Sequence, residues 1–463
     1  MKNLILGILC VLTNLSVTAQ LPYTENLYDF AVESDIEYGQ VTNFAGITDT
    51  LLLDIYKPIG DNNCTRPCLV LIHGGAWISG SKNEGQVVNI AQSFAQKGWV
   101  VASINYRLGT HKTPSYEMYW ACNDDISVPC GYIADSAEVF RANYRGQQDA
   151  KGAIRFMKNR AELDSVDIQN VFIAGESAGA FVAYAAAFMN NESEKPEFCN
   201  TMPDAPNPDP DLVSCLPPGY SLERPDLGSV QGNLNLGGHN TSVQGVGSFY
   251  GGMMNFEMLE DETDWPVIYM FHQGSDVIVN YNYGRLLGRI DWECFSPTSL
   301  CQNYARYPKA FGSAAISDYF SGLAESPERT VDIIENYEYM NDCFDNGHSI
   351  DNWVLRAQNM ADLFAERIAE NGNEPNSGPC NLSHDPTAQF NIDFYPNPSN
   401  GVLTIRHDFY QNLIIRIYEM DGSLVREFNT PKQKTIELPT GVYNVQISSS
   451  NYEMSAFKRL IVL

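Results

Sequence analysis

The 463-residue sequence is short of positive charge, of long apolar runs and of metal-ligand spacings. The sequence has 29 Lys and Arg but 56 Asp and Glu. The resulting net charge of -27 argues against nucleic acid or anionic membranes as partners. No stretch reaches transmembrane length. Neither C-x2-C nor H-x3-H occurs, so we assign no metal. The composition, 44% hydrophobic and 18% charged, is typical of a protein with a sizeable core.

The N-terminus has the pattern of a secretory signal peptide. A basic start at Lys2 precedes the apolar residues 4–12, and small residues at 17–19 offer a cleavage site after Ala19. The apolar stretch is too short to span a bilayer. We therefore expect residues 1–19 to be removed and the mature protein to be exported.

The cysteine content is consistent with export. Of the eleven cysteines, Cys10 lies in the predicted signal peptide, and the other ten fall in close pairs along the chain. Sequence alone does not give their connectivity. We expect local bridges that each staple a loop and are each worth up to ~2–3 kcal/mol. The expected pairs are Cys64 with Cys68, Cys122 with Cys130, Cys199 with Cys215, Cys294 with Cys301, and Cys343 with Cys380.

Residues 171–188 contain the pattern around which the rest of the chain is organised. The apolar, β-branched residues 171–174 predict a buried strand, and the Ala-rich residues 180–188 predict a buried helix. G-x-S-x-G lies between them, at Gly175 to Gly179. A strand, this motif and a helix together predict a nucleophile elbow with Ser177 at its tip. The two glycines would remove the Cβ atoms that clash in so tight a turn.

A second glycine motif follows the predicted strand at residues 68–73. Glycines there allow the backbone to approach a substrate carbonyl, so that N–H groups can bind a developing oxyanion. We expect the donors to be Gly74 and Gly75, together with Ala178 at the start of the helix behind the nucleophile. His73 is interpreted as a structural residue that holds this loop.

The candidate acid is Asp276. It follows the predicted buried strand at residues 265–271, at the carboxyl end where α/β sheets place active-site residues. A carboxylate in this position can fix the tautomer of a histidine and stabilise its charged form. Asp264 is a weaker alternative because it precedes the strand.

The candidate base is found by elimination among the seven histidines. In the chain order Ser, Asp, His, the base follows Asp276, which leaves three histidines. His384 lies in a predicted linker and His407 in a predicted C-terminal module. His348 remains, and Gly347 before it would let its loop turn back over Ser177.

Two regions are predicted to cover the pocket. Residues 108–135 form a long loop, and long loops on a rigid scaffold often line binding sites. A passive surface excursion is an equal alternative for this loop. The candidates for substrate binding are Trp77, Tyr106, Tyr116 and Trp120, although Trp77 is most simply a packing residue beneath the site. Residues 190–244, rich in Pro, Asp, Asn and Gly, predict an inserted segment and a candidate lid.

The C-terminal part of the chain differs in character from the rest. Residues 374–389 predict a linker rich in Pro, Asn and Ser, and residues 390–463 contain short alternating strands broken by turns. This pattern predicts a small all-β sandwich without a site of its own.

The motifs in residues 30–372 together resemble those of α/β-hydrolase carboxylesterases. HGGAW starts at His73, GESAG at Gly175, GSD at Gly274 and GH at Gly347, all in the family's order. The resemblance implies an α/β fold, a mostly parallel central sheet flanked by helices, over residues 20–373. It also implies a Ser-His-Asp triad and no cofactor.

The last seventy residues resemble the C-terminal sorting domain of the type IX secretion system. The matching pieces are FYPNP from Phe394, IYEMDG from Ile417, LPTGVY from Leu438 and the terminal KRLIV from Lys458. The resemblance implies that the type IX machinery is a partner and that the protein is secreted or displayed on the cell surface.

These features together predict a secreted serine carboxylic-ester hydrolase acting through an acyl-enzyme. Esters of carbohydrates and small aryl or alkyl esters are both compatible with the pattern. Two alternatives stay open: amide or peptide hydrolysis by the same triad, and a binding or adhesion protein built on an inactive hydrolase fold.

Overall fold

The structure is a computed structural model that describes residues 21–61, 63–111, 133–206, 221–260, 262–288, 307–334, 347–372, 392–395, 399–407, 413–419, 424–430, 433–449 and 455–462. The chain divides into two compact units, Met1–Gly378 and Pro379–Leu463, and the boundary falls within the predicted linker. The two units are described separately below.

The first unit is built on one eight-stranded sheet whose strand order is β1-β2-β4-β3-β5-β6-β8-β11. Strand β2 is antiparallel to β1 and β4, and the remaining neighbours are parallel. The strands are β1 Asp29–Thr42, β2 Thr48–Ile59, β3 Arg66–Ile72, β4 Val100–Ile104, β5 Val166–Glu176, β6 Gly245–Phe249, β8 Val267–Gln273 and β11 Arg329–Ile334. A small second sheet, in the order β7-β10-β9, contains β7 Gly252–Met253, β9 Tyr283–Arg285 and β10 Lys309–Gly312.

Helices cover both faces of the large sheet. They are α1 Gly85–Gln96, α2 Ala137–Asn159, α3 Ala161–Asp164, α4 Ala178–Phe188, α5 Ser313–Ser321 and α6 Trp353–Glu370. Because successive side chains of a strand point to opposite faces, Leu69 and Leu71 enter the core beneath α1 and α6, whereas Val70 and Ile72 enter the core beneath α2 and α4. Burial on both faces explains why the central strands are continuously apolar. The predicted α/β-hydrolase fold class is confirmed.

The segment that is predicted to be a lid packs on α2 where the structure describes it. Side chains of α2 bind the backbone of residues 227–234: Gln148 Nε2 donates to Leu227 O at 2.8 Å and to Ser229 O at 2.7 Å, and Arg155 Nε donates to Leu234 O at 2.9 Å. Since buried carbonyl groups need donors, these bonds attach the segment firmly to the helix. The described part of residues 190–244 is therefore a cover on α2, and the lid prediction is wrong for that part.

Two of the predicted disulfide pairs are also wrong. Cys68 is a free thiol buried within β3, so it does not bridge to Cys64, which is disulfide-bonded to another residue. Cys199 is likewise free and buried, so the pair with Cys215 does not form. A thiol facing the core packs as a small hydrophobic group, which spacing in the sequence does not reveal. The other predicted cysteines lie outside the described residues: Cys122, Cys130, Cys215, Cys294, Cys301, Cys343 and Cys380.

The second unit contains only strands among its described residues. They form two sheets, in the orders β12-β13-β16 and β15-β14-β17-β18, around a small aliphatic core. The strands are β12 Ile392–Tyr395, β13 Val402–His407, β14 Leu413–Glu419, β15 Leu424–Thr430, β16 Gln433–Glu437, β17 Gly441–Ser449 and β18 Ser455–Val462. Across both units, no described helix is long and apolar enough to cross a membrane.

Candidate active site

Ser177 stands at the sharp turn between β5 and α4. Its φ of 52° and ψ of -122° place a non-glycine residue in a region that costs energy, which is typical of functional positions. The turn is tight enough to require both flanking glycines. A Cβ on Gly175 would lie 2.3 Å from the carbonyl carbon of Gly179, and a Cβ on Gly179 would lie 2.3 Å from Ile72 O. The side chain of Ser177, directly after β5, is thus held clear of the backbone.

Three residues separated by up to 171 positions meet at this turn. His348 Nε2 lies 2.7 Å from Ser177 Oγ, and His348 Nδ1 lies 2.7 Å from Asp276 Oδ2. The Asp276 carboxylate is fully buried, whereas the His348 side chain is 13% exposed. Both distances are those of strong hydrogen bonds. The arrangement can pass a proton from the serine hydroxyl to the imidazole while the carboxylate holds the ring.

Gly347 lets the His348 loop approach the Asp276 loop. Its φ is +67°, and a Cβ at this position would lie 2.4 Å from Ser275 Oγ and 2.9 Å from Asp276 N. A side chain here would push the two loops apart. The glycine before the histidine therefore serves the close approach that the sequence indicated.

The loop after β3 passes beside Ser177. A Cβ on Gly74 would lie 3.1 Å from Ser177 Cβ, and a Cβ on Gly75 would lie 2.1 Å from Ser79 O, so that only glycine fits at position 75. Three successive residues have positive φ: Gly75 at 108°, Ala76 at 52° and Trp77 at 60°. Strain of this kind in non-glycine residues persists only where surrounding contacts enforce it. The three predicted N–H donors, Gly74, Gly75 and Ala178, thus belong to two backbone segments that adjoin the nucleophile.

Comparison with known proteins finds a family match in each unit. Residues 53–146 match the family described as BD-FAE, and residues 393–463 match the secretion system C-terminal sorting domain. The first match lies within the α/β unit, which we call the hydrolase domain after its fold, and the second lies within the all-β unit. The catalytic candidates all lie in the hydrolase domain.

Curated relatives resemble the hydrolase domain over limited lengths. The chain is 30% identical over 161 residues to the neuroligin-like protein glit-1 of Caenorhabditis elegans, covering 34% of this chain and 17% of that protein. It is 29% identical over 131 residues to a probable isoprenylcysteine alpha-carbonyl methylesterase of Oryza sativa subsp. japonica, covering 28% and 23%. The matched region thus spans less than a quarter of either relative.

Solved esterase structures are also similar to the hydrolase domain. A truncated carbohydrate esterase from gut microbiota is 16% identical with a TM-score of 0.40, and the match covers 76% of this chain and 100% of that one. Thermogutta terrifontis esterase 2, phosphoramylated by tabun, is 19% identical with a TM-score of 0.38, covering 74% and 96%.

The hydrolase domain holds the candidate acid ionised. Asp276 Oδ1 accepts the backbone N–H groups of Ile278 at 2.8 Å and Val279 at 2.9 Å. Burial by itself would raise the pKa of Asp276, but the charge of His348 and hydrogen bonds from His272 and His348 outweigh it. The pKa therefore lies below its ordinary value, and the group is a carboxylate at neutral pH.

A second histidine contacts the candidate acid of the hydrolase domain. His272, in β8, is fully buried and places Nε2 at 3.1 Å from Asp276 Oδ2. In the chain order Ser, Asp, His this histidine precedes the acid, so the order predicts no place for it in the triad. The spacing of four residues, His272 to Asp276 across a strand end, was the signal available in the sequence.

A second buried carboxyl group of the hydrolase domain was also missed. Glu176, directly before the nucleophile, accepts a hydrogen bond from Tyr250 Oη at 2.8 Å. The Tyr250 ring in turn packs edge-on against His348, with ring centroids 4.5 Å apart. Burial raises the pKa of Glu176 against the opposing effects of hydrogen bonds from Tyr250 and from the backbone N–H of Gly74 and of the charge of His348. The N–H of Gly74, predicted to bind the oxyanion, is therefore hydrogen-bonded to Glu176 in this structure.

The predicted substrate-binding aromatics fall into two groups. Trp77 and Tyr106 are only 4% and 2% exposed. Trp77 Nε1 donates to Asn143 Oδ1 at 3.2 Å, and Tyr106 stacks on His73 and donates to His73 O at 3.2 Å. These contacts place both residues in the support of the glycine loop and correct their assignment to substrate binding. Tyr116 and Trp120 lie outside the described residues.

His73 contacts the glycine loop that it is predicted to hold. The Nδ1 atom of His73 lies 2.7 Å from Gly74 O. Its ring stacks on Tyr106 on one side and adjoins Gly80, where a Cβ would lie only 2.5 Å from His73 Nδ1. Burial lowers the pKa of His73, which keeps the ring neutral. Among the described residues, no group of three or more His, Cys, Asp and Glu could hold a metal ion.

Proposed function

We propose that the protein is a secreted serine esterase that hydrolyses carboxylic esters through an acyl-enzyme. The observation that carries this proposal is the pair of 2.7 Å contacts linking Ser177, His348 and Asp276 at a strained strand-to-helix turn. The match of residues 53–146 to BD-FAE supports it. Fold alone would not, because one fold hosts many functions.

The mechanism follows from the order of the contacts. His348 Nε2 accepts the proton of Ser177 Oγ as the oxygen attacks the ester carbonyl, and Asp276 stabilises the resulting imidazolium. Backbone N–H groups of Gly75 and Ala178 bind the oxyanion of the tetrahedral intermediate, and the N–H of Gly74, which is hydrogen-bonded to Glu176, joins them only by leaving that carboxyl group. The alcohol leaves with the proton from His348, and water repeats the sequence on the acyl-enzyme.

The proposed substrates are acyl groups on carbohydrates and small aryl or alkyl esters. The residues that would select among them are a separate question from the proton relay. Amide hydrolysis by the same relay is the second candidate, and it demands better proton delivery because an amine is the poorer leaving group. Matched p-nitrophenyl esters and p-nitroanilides with the same acyl group separate the two reactions.

The second part of the proposal is that the C-terminal unit directs export of the protein. Residues 393–463 match a secretion system C-terminal sorting domain. We assign the type IX machinery as the partner of that domain and a secreted or cell-surface location to the enzyme, with residues 1–19 as its signal peptide. Fractionation of cells that express the chain with and without residues 390–463 tests this part: the truncated chain should stay inside the cell envelope.

The first test of the activity compares wild-type protein with Ser177→Ala on p-nitrophenyl acetate, butyrate and octanoate. Loss of a triad nucleophile costs about 10⁶-fold in kcat where it has been measured in serine hydrolases. Ser326→Ala, at an exposed serine, is the matched control and should leave kcat unchanged. Equal activity of wild type and Ser177→Ala, or a wild-type protein that a fluorophosphonate probe fails to label, would favour the inactive binding protein instead.

A further inference from the structure

His272 has a place in the site that no step of the mechanism above uses. It lies in β8, is fully buried, and its Nε2 approaches two oxygens, Asp276 Oδ2 and Val279 O, both at 3.1 Å. The other ring nitrogen, Nδ1, lies 3.0 Å from Ser313 Oγ and 3.4 Å from Ser313 N. Each ring nitrogen therefore has a partner of defined type.

The partners determine the tautomer. The backbone N–H of Ser313 can only donate, so Nδ1 must accept and carries no proton. A carboxylate and a carbonyl oxygen can only accept, so Nε2 must carry the proton that it shares between them. His272 is thus a neutral imidazole whose N–H points at Asp276, and the start of α5 fixes its orientation through Ser313.

Through this N–H, His272 is one of the groups that donate a hydrogen bond to the Asp276 carboxylate. A carboxylate offers about four lone-pair sites. Two backbone N–H groups bind Oδ1, and two histidines bind Oδ2. Without His272, Oδ2 would lose a donor that takes no part in the proton transfer, whereas His348, its other donor described above, has to move its proton during the reaction. A carboxylate that can rotate no longer holds the base at a constant angle to Ser177.

We propose that His272 is a positioning residue that fixes the Asp276 carboxylate for the proton relay, and that Ser313 acts through His272 by fixing its tautomer. This inference rests on the proposed function, because the relay is its readout. It assigns His272 no contact with substrate. Its consequence is a defect in kcat with little change in KM, since binding of the ester does not involve this residue.

The test replaces the histidine by one residue that keeps the donor and one that removes it. His272→Phe keeps the volume but has no N–H, and we expect kcat to fall about 10- to 100-fold, as for other residues that orient a functional group. His272→Gln can still donate from its amide, and it should recover most of that loss. His111→Phe, at a buried histidine that packs on Phe44, is the matched control and should keep the wild-type kcat.

The role of Ser313 gives a second, independent arm. Ser313→Ala should lower kcat by less than His272→Phe, because the backbone N–H still binds Nδ1. In the double variant the serine should have no further effect, since its partner is gone, so the two losses should not add. Additive losses would contradict the assignment of Ser313.

The outcomes separate this inference from the proposed function. If wild type shows hydrolysis that Ser177→Ala abolishes, but His272→Phe keeps the wild-type kcat, the inference alone is wrong. It is also wrong if His272→Gln is as slow as His272→Phe while both fold normally. Nitrogen-15 NMR of the resting protein should show His272 protonated only at Nε2, and a proton on Nδ1 would overturn the geometry without reference to activity. Lack of any Ser177-dependent hydrolysis would instead remove the proposed function.

Discussion

Two buried carboxyl groups lie near His348, and their pKa values are shifted in opposite directions. Asp276, after β8, accepts hydrogen bonds from two histidines and two backbone N–H groups, and its pKa is lowered despite full burial. Glu176, at the end of β5, accepts from the Tyr250 hydroxyl and the Gly74 N–H, and its pKa is raised by burial. Both side chains are nine-tenths buried or more.

The difference shows that burial does not by itself decide the charge of a carboxyl group. Desolvation disfavours the charged form at both positions, and the number and charge of the donors decide the outcome. At Asp276, two histidines and two backbone N–H groups outweigh desolvation, whereas at Glu176 the Tyr250 hydroxyl, the Gly74 N–H and the charge of His348 do not. Opposite shifts of neighbouring titratable groups separate the one that acts in charged form from the one that does not.

The largest expected effect comes from neutral isosteres at the two positions. Asp276→Asn should lower kcat for p-nitrophenyl acetate about 10⁴-fold, because an amide can stabilise the wrong tautomer of the catalytic histidine and offers no charge to the imidazolium. Glu176→Gln should stay within about tenfold of wild type, because it keeps an acceptor for Tyr250 and imitates the protonated acid. Equal losses in the two variants would remove the distinction between the carboxyl groups.

The next effect concerns the hydroxyl of Tyr250, which donates to Glu176. Tyr250→Phe removes the hydroxyl and should destabilise the protein by about 1–3 kcal/mol, the cost of an unsatisfied buried polar group. Tyr269→Phe is the matched control, because its hydroxyl binds Asp332, which also accepts from Asn359 Nδ2 at 2.6 Å. Urea unfolding at pH 7 should show the larger loss for Tyr250→Phe, and a larger loss at Tyr269 would contradict the account.

The smallest effect is the pH dependence of stability, and it should have opposite signs at the two sites. Because the folded pKa of Asp276 is below the unfolded value of about 3.8, its stabilisation is present above that value and is lost as the pH falls through the folded pKa. The folded pKa of Glu176 is above 4.5, so its stabilisation is present below that value and is lost as the pH rises through the folded pKa.

The two isosteric variants make this prediction measurable. Relative to wild type, Glu176→Gln should become more stable as the pH rises from 4 to 8, whereas Asp276→Asn should lose stability once the pH rises above the low folded pKa of the acid. Denaturant unfolding of the three proteins from about pH 2 to about pH 8 provides the comparison, because the Asp276 effect develops below about pH 3.8 and the Glu176 effect above about pH 4.5. Parallel pH profiles for the two variants would mean that the carboxyl groups are in equivalent environments.

Much of the hydrolase domain could be predicted from local patterns. The buried strand before the glycine loop and the strand-turn-helix around Ser177 follow from periodicity and from glycine positions. Chain order pointed to Asp276 and His348, and the structure brings both to Ser177. That these residues perform catalysis stays a prediction until Ser177→Ala is assayed.

Other features could not be inferred because their partners lie far away in the sequence. The buried polar face of α2 binds a segment about 80 residues later, so polar side chains such as Gln148 and Arg155 do not mark an exposed face. Cys68 and Cys199 are core thiols, although their spacing suggested bridges. In both cases tertiary burial overrode what composition and spacing indicated.

The sequence by itself determined where the backbone must turn tightly. Gly175, Gly179 and Gly347 are needed because a Cβ at each would collide with a neighbouring segment, and this constraint is visible as a glycine in the motif. The charge of a buried side chain is different, because it depends on donors that only folding brings together. His272, Ser313 and Tyr250 reach their partners through tertiary contacts, so the tertiary structure alone decided that the pKa of Asp276 is lowered and that the pKa of Glu176 is raised.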